Sequence, residues 1–196
     1  MSRVAREFVE AIVLALIVFL VIQTGVRNFK VEGSSMLPTL EGGQYLLVNK
    51  LVYFRLDTVR LSRVVPFWKV KVEESNEWFA LRPPQRGEII VFHYPRDPTK
   101  DFVKRVIGLP GERIKVESGE VFIDGVQLEE PYLASRDTSR ARELVLGETE
   151  YYVMGDNRRG SNDSRNWGPV DVELVLGKVW FVYWPFSQVQ IIGGSP

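Results

Sequence analysis

Two serines and one lysine carry the strongest chemical signal in this chain. Ser34 and Ser35 stand between Gly33 and Pro38 in the run GSSMLPTL, residues 33–40. A glycine before them and a proline after them suggest a hydroxyl presented on a stiff turn, although Gly-Ser-Ser taken alone is common in loops. Lys104 lies in DFVKRVIG, residues 101–108, where strand alternation puts Phe102, Lys104 and Val106 on one face. A lysine with apolar neighbours on its own face admits two readings. It is an edge lysine whose stem lies on apolar surface with its head in water, or it is desolvated until its amine is neutral and accepts a proton. A third cluster, GDNRRGSNDSR at 155–165, is dense in Asp, Asn, Ser and Arg. It is either a surface loop or a loop buried on its own hydrogen bonds. A fourth, QRGEIIVF at 85–92, reads as a turn followed by a buried structural strand.

Composition narrows the chemistry. With no cysteine, disulfides, thiolate metal sites and thiol catalysis are excluded. The single histidine, His93, lies in a strand-patterned run and reads as structural or surface, which disfavours a Ser-His-Asp triad. No Gly-x-Ser-x-Gly and no Ser-x-x-Lys occurs, so two familiar serine-hydrolase signatures are missing. What remains is a serine nucleophile with a lysine base. A serine hydroxyl needs a base to become a good nucleophile. A lysine serving as that base near pH 8 must fall by about 2.4 pH units, roughly 3 kcal/mol. This chemistry needs no metal and no cofactor. Lys and Arg together number 25, as do Asp and Glu, and zero net charge argues against nucleic acid as a partner.

The 196 residues suit one domain, or one domain carrying an inserted lobe. Residues 11–22, AIVLALIVFLVI, hold no polar side chain, and the apolar stretch from Phe8 to Val26 covers 19 residues. A membrane-spanning helix needs about 20. A buried core helix and a cleaved leader are the alternatives. No polar stripe of helical period supports the first, and no small-x-small site follows in QTGVRNFKVEG to support the second. An uncleaved anchor is the favoured reading. Ser35, nine residues beyond Val26, then stands within about 30 Å of the bilayer edge. The rest reads as strand, at 28–32, 44–49, 88–94, 102–107, 113–117, 120–123, 150–154 and 178–184, with a tight hairpin at Asp124-Gly125. Residues 134–147 read as a polar loop or lobe tip. Within 54–84, Phe67, Trp68, Trp78 and Phe79 alternate with Arg60, Arg63, Lys69 and Lys71. That mixture suits either an extra hairpin on the core or contact with an anionic membrane surface.

GSSMLPTL (33–40), RGEIIVF (86–92), KRVIGLPGE (104–112) and GDNRRGSNDSRNWGPV (155–170), in this order behind an apolar N-terminal run, resemble the bacterial type I signal peptidases. The resemblance covers most of 1–53 and 85–196. It implies Ser35 as nucleophile, Lys104 as general base, and Ser161 as the hydroxyl that orients the lysine amine. It also implies an Asp163–Arg165 ion pair, with Asp156 in the same network. The Ser35 backbone N–H is the first oxyanion candidate. Gly33 occupies the position where some members carry a second hydroxyl donor, which leaves a backbone N–H, a water or Ser34 for that role. The implied fold is mainly β: a short tail (1–7), a transmembrane helix (8–26), an antiparallel catalytic core (27–110 and 150–196) with 54–84 inserted, and a small inserted β lobe (111–149). The implied function is removal of signal peptides from exported preproteins after small-x-small sites. The N-terminus would be cytoplasmic, the catalytic domain outside, and the bilayer and preproteins the partners. Two alternatives stay open, a related Ser/Lys peptidase that cuts itself or one partner and an inactive membrane-anchored module that binds signal peptides.

Overall fold

The structure, a computed structural model, describes residues 3–53, 55–56, 78–79, 81–135 and 137–193. It opens with helix α1 (Arg3–Gly25), 23 residues and about 35 Å long at 1.5 Å per residue. Its described apolar side chains, Phe8, Leu14 and Phe19 among them, are exposed. Among the described residues no helix is long and apolar enough to cross a membrane; the side chains of residues 5, 20–22 and 24 lie outside that description. The helix ends where Gly25 meets Leu51. A Cβ at position 25 would lie 2.5 Å from the Leu51 side chain, and the Gly25 carbonyl accepts from the Lys50 N–H at 2.8 Å.

Fourteen strands follow among the described residues. They are β1 (Val26–Lys30), β2 (Tyr45–Asn49), β3 (Arg55–Leu56), β4 (Trp78–Phe79), β5 (Ile89–Tyr94), β6 (Asp97–Gly108) and β7 (Arg113–Glu117). Next come β8 (Glu120–Ile123), β9 (Val126–Gln127), β10 (Ala141–Val145), β11 (Glu150–Met154), β12 (Val170–Asp171), β13 (Val175–Trp184) and β14 (Gln190–Ile191). The main sheet has eight strands in the order β1-β2-β13-β5-β6-β11-β12, with β14 beside β13. All its pairings are antiparallel. A second sheet of four, β10-β7-β8-β9, is built within residues 113–145.

The apolar run IIVF of β5 is buried on both faces, as its unbroken hydrophobicity requires. Ile89 and Val91 join Val31, Met36, Leu40 and Val179 in one cluster. Ile90 and Phe92 join Val106, Val153 and Trp167 in another. The four-stranded sheet closes on Ile107, Tyr152 and Met154 of the main sheet through Ile114, Val116 and Val121. Its hairpin at Asp124-Gly125 has positive φ at both residues, 51° and 84°, the geometry that matches the strand twist.

One reading of the sequence is corrected here. Residues 134–147 are not all loop: Ala141–Val145 forms β10 against β7, with Leu144 opposite Ile114. Leu146, just past the strand, is buried. Charges at Arg140, Arg142 and Glu143 conceal the two leucines that drive this strand inward. Within 54–84, β3 and β4 pair antiparallel, Arg55 opposite Phe79; Phe67 and Trp68, and the side chains of Trp78 and Phe79, lie outside the described residues. Both roots of this segment are fastened to Glu88, the acidic residue of the fourth cluster. Tyr53 donates to Glu88 Oε2 at 2.6 Å, Arg82 at 3.0 Å, and Lys178 reaches Oε1 at 2.8 Å. Burial pushes the Glu88 carboxyl up, but hydrogen bonds from Arg82, Lys178 and Tyr53 outweigh it and hold it at about 2.

Candidate active site

The turn 33–40 hangs between β1 and β2, and Lys104 projects from β6. They are 69 positions apart in sequence, yet Lys104 Nζ lies 2.8 Å from Ser35 Oγ. Lys104 is only 4% exposed. Its amine also donates to the Val103 carbonyl at 2.8 Å and sits 5.3 Å from the centre of the Phe102 ring. Burial pulls the Lys104 ammonium down to about 8, against the Asp163 and Asp156 carboxylates, which favour its charged form. The edge-lysine reading does not fit a side chain so enclosed.

The pair lines a groove of about 680 Å³ between segment 29–35 and residues 100–104 of β6. Phe29, Val31, Leu46 and Val103 give it an apolar lining, and Glu32 and Asp101 bring carboxylates. His93 stands behind Asp101, its Nδ1 2.7 Å from the carboxylate, away from Ser35 and Lys104.

The loop 155–165 holds the nucleophile's backbone. Asn157 donates from its N–H to the Ser35 carbonyl at 3.0 Å and from its side-chain amide to the Ser34 carbonyl at 3.1 Å. Gly155 lies against both Ser35 and Ser161. A Cβ there would be 2.4 Å from the Ser35 carbonyl oxygen and 2.3 Å from Ser161 Oγ. Gly155→Ala must therefore push the Ser35 backbone away from Lys104. A misplacement near 1 Å at a reacting group costs about 10²-fold, so the variant should lose about that much kcat with a normal circular dichroism spectrum. An alanine variant with parental kcat would show that this contact does not position the serine.

The remaining residues singled out from the sequence fall into separate places. Asp163 and Arg165 form the expected pair, with Nε to Oδ1 at 2.8 Å and Nη2 to Oδ2 at 2.9 Å. Asp163 also accepts from the Gly155 N–H at 3.0 Å. It caps the short helix α2 (Ser164–Trp167) as well. Asp156 does not share that network. It pairs with Arg105, Nε to Oδ1 at 2.8 Å and Nη2 to Oδ2 at 2.6 Å, and it accepts from Thr39 Oγ1 at 2.5 Å. Ser161 does not hold the lysine amine by a hydrogen bond: its Oγ is buried without a partner among the described residues. Gly33 has a positive φ of 81°, which a side chain would strain.

Several participants escaped sequence reasoning. Arg165 reaches across to Asp137 at 2.8 Å. Arg158 is clamped by Glu130, with Nη1 to Oε2 at 2.9 Å, and Arg105 stacks 4.0 Å from the Tyr132 ring centre. The four-stranded lobe thus braces all three arginines around the serine loop. Arg105 left one trace in the sequence: it is a second charge directly after Lys104, between the apolar pairs Phe102-Val103 and Val106-Ile107.

The family described as signal peptidase, peptidase S26, matches residues 5–184. Signal peptidase I of Bacillus caldolyticus is 38% identical over 175 residues, covering 82% of this chain and 81% of that one. Signal peptidase I of Leptolyngbya laminosa is 33% identical over 189 residues, covering 90% and 80%. A crystal structure of a signal peptidase I from Enterococcus faecalis is 34% identical, with a TM-score of 0.44, covering 51% of this chain and 99% of that one.

Proposed function

Because the chain belongs to the signal peptidase family, peptidase S26, we propose that it is a membrane-anchored serine endopeptidase that removes signal peptides from exported preproteins. The observation that carries the reading is the buried Lys104 amine 2.8 Å from Ser35 Oγ in an open groove. In the neutral state that amine accepts the Ser35 hydroxyl proton as Oγ attacks the carbonyl after a small residue. Negative charge gathers on the carbonyl oxygen, and the Ser35 backbone N–H is the donor assigned to it. The Lys104 ammonium then returns its proton to the leaving nitrogen. The acyl-serine is hydrolysed by water that Lys104 deprotonates in turn. In this mechanism Asp163 and Asn157 are positioning residues, acting through Gly155 and the Ser35 carbonyl.

Helix α1 is the proposed anchor, with its N-terminus in the cytoplasm and the β domain outside. Support comes from the apolar run 8–26, the unbroken helix through it and its uncovered apolar side chains. The turn carrying Ser35 begins three residues after β1, which continues directly from this helix. A preprotein's cut site lies just beyond its own apolar segment, and two partners held in one plane gain effective concentration.

A preprotein with a small-x-small site, incubated with the full chain in detergent, tests this. Cleavage should release the mature protein. Because only the neutral amine is a base and Lys104 titrates at about 8, kcat/KM should rise about tenfold per pH unit below 8 and level off above it. Cleavage confined to the chain itself would favour a self-cutting peptidase, and signal-peptide binding without any cleavage an inactive module.

A further inference from the structure

The proposed mechanism uses one side of Ser35. A peptide with its scissile carbonyl at Ser35 must continue beyond it, and a second cleft adjoins the same turn there. It has a volume of about 290 Å³ and opens between Leu37 and Pro38, which follow the nucleophile, and Ala134 and Ser135 of the inserted lobe. That is near the low end of ligand sites, about 300 Å³. Asn157, whose side-chain amide holds the Ser34 carbonyl, also lines it, as does Asp156. None of these residues except the turn itself is contiguous with the first groove in sequence, but Asn157 touches the backbone at the reacting serine.

The charge of this cleft is one-sided. Asp156 is neutralised by Arg105. Glu41, the other acid lining it, is exposed, and among the described residues its carboxylate meets one amide, Gln188 Nε2, which donates to Oε2 at 2.9 Å. No cation lines the cleft among the described residues. The first groove, by contrast, carries Lys30 and Lys100 beside Glu32 and Asp101.

We propose that this cleft, formed jointly by the nucleophile turn and the inserted lobe, holds the first residues of the mature chain beyond the cut and selects against acidic side chains there through Glu41. The proposal deepens the peptidase reading and rests on it. The lobe then has a role in substrate recognition as well as in bracing the serine loop.

The test uses the full chain in detergent and a model preprotein carrying Ala, Asp or Lys at the second residue after the cut. An exposed charge pair is worth up to about 1 kcal/mol, so the wild type should cleave the Lys substrate about threefold better than the Asp substrate by kcat/KM. Glu41→Lys should invert that order, and Glu41→Gln should bring the ratio near one. Each variant's rates on the Lys and Asp substrates are read relative to its own rate on the Ala substrate, so that any general change in activity cancels from the ratio. The same charges placed four residues before the cut should show no dependence on position 41. A Lys-to-Asp ratio unchanged in Glu41→Lys would overturn the cleft assignment while leaving the peptidase reading intact. An equal effect at the position before the cut would do the same, because it would mark a long-range potential and no local contact. Failure of the wild type to cleave the Ala substrate would overturn the peptidase reading and this proposal with it.

Discussion

Lys104→Met should lower kcat/KM for preprotein cleavage by about 10⁴-fold or more, and at the same time make the protein harder to unfold. The catalytic loss follows from removing the amine that bonds Ser35 Oγ at 2.8 Å; removing one member of a nucleophile–base unit costs nearly as much as removing the unit. The stability gain follows from the same burial that makes the lysine useful. Its titration in the folded protein lies at about 8, below the ordinary 10.5, a difference of about 3 kcal/mol. Below pH 8 both folded and unfolded chains hold the proton, so the folded state carries the whole cost. Between 8 and 10.5 the folded amine is neutral while the unfolded one stays charged, and stability rises with pH. Methionine fills a similar volume with no charge. At pH 7 it should raise Tm by about 9 °C, at roughly 2–4 °C per kcal/mol for a chain of this size, and the gain should vanish above pH 10.5. Lys104→Arg should be as inactive as the methionine variant, since guanidinium keeps its proton. Cleavage by folded Lys104→Arg would sink the mechanism, and equal melting of parent and methionine variant at pH 7 would sink the account of the shift.

Asp156→Ala should act through stability. Arg105 and Asp156 are each 2% exposed, and the bidentate pair lies between the turn 33–40 and the serine loop. Removing the carboxylate leaves a guanidinium in the interior with the Gly87 carbonyl at 2.7 Å, Thr39 Oγ1 at 3.4 Å and the Tyr132 ring as neutral partners. Breaking one side of a buried pair costs about 3–5 kcal/mol, or roughly 10 °C in Tm. Thr39 would lose its acceptor as well. The double variant Arg105→Leu with Asp156→Leu should recover part of the loss, because it strands no charge. Calorimetry on the three proteins decides the matter, and an Asp156→Ala protein that melts with the parent would show the pair to be energetically idle. Asp163→Ala differs in kind: Arg165 would keep Asp137 at 2.8 Å, so its main defect should be the lost hold on Gly155.

The sequence made the strands and the reacting pair legible, for reasons that can be named. Strands 113–117, 120–123 and 150–154 lie within the bounds their β-branched and aromatic residues suggest. Ser35 and Lys104 stood out because each breaks a local rule, a paired hydroxyl on a turn and a charge on an apolar face. The braces were illegible. Glu130, Tyr132 and Asp137 sit in a polar stretch that resembles solvated loop, and their partners Arg158, Arg105 and Arg165 are 28, 27 and 28 positions away. Only folding shows that these charges face each other. The Ser161 hydroxyl, without a partner among the described residues, was invisible for a related reason: motif position places a residue in the right loop without fixing where its oxygen points.

The place of β13 has a consequence for biosynthesis. In the main sheet β13 lies between β2 and β5, so among the described residues the strands that frame Ser35 join the hairpin that carries Lys104 in one ladder only through a strand made some 70 residues after the lysine; the Asn157 N–H on the Ser35 carbonyl is a further backbone tie, itself made after the lysine. A ribosome working from the N-terminus releases the nucleophile first, then the base, and only afterwards the strand that joins their two halves of the sheet. The nascent chain therefore has its signal-cutting chemistry in pieces until residues 175–184 have emerged and inserted. A pairing of such sequence separation closes slowly. A growing chain of this topology therefore completes the sheet that holds Ser35 beside Lys104 only once β13 has paired on both its edges.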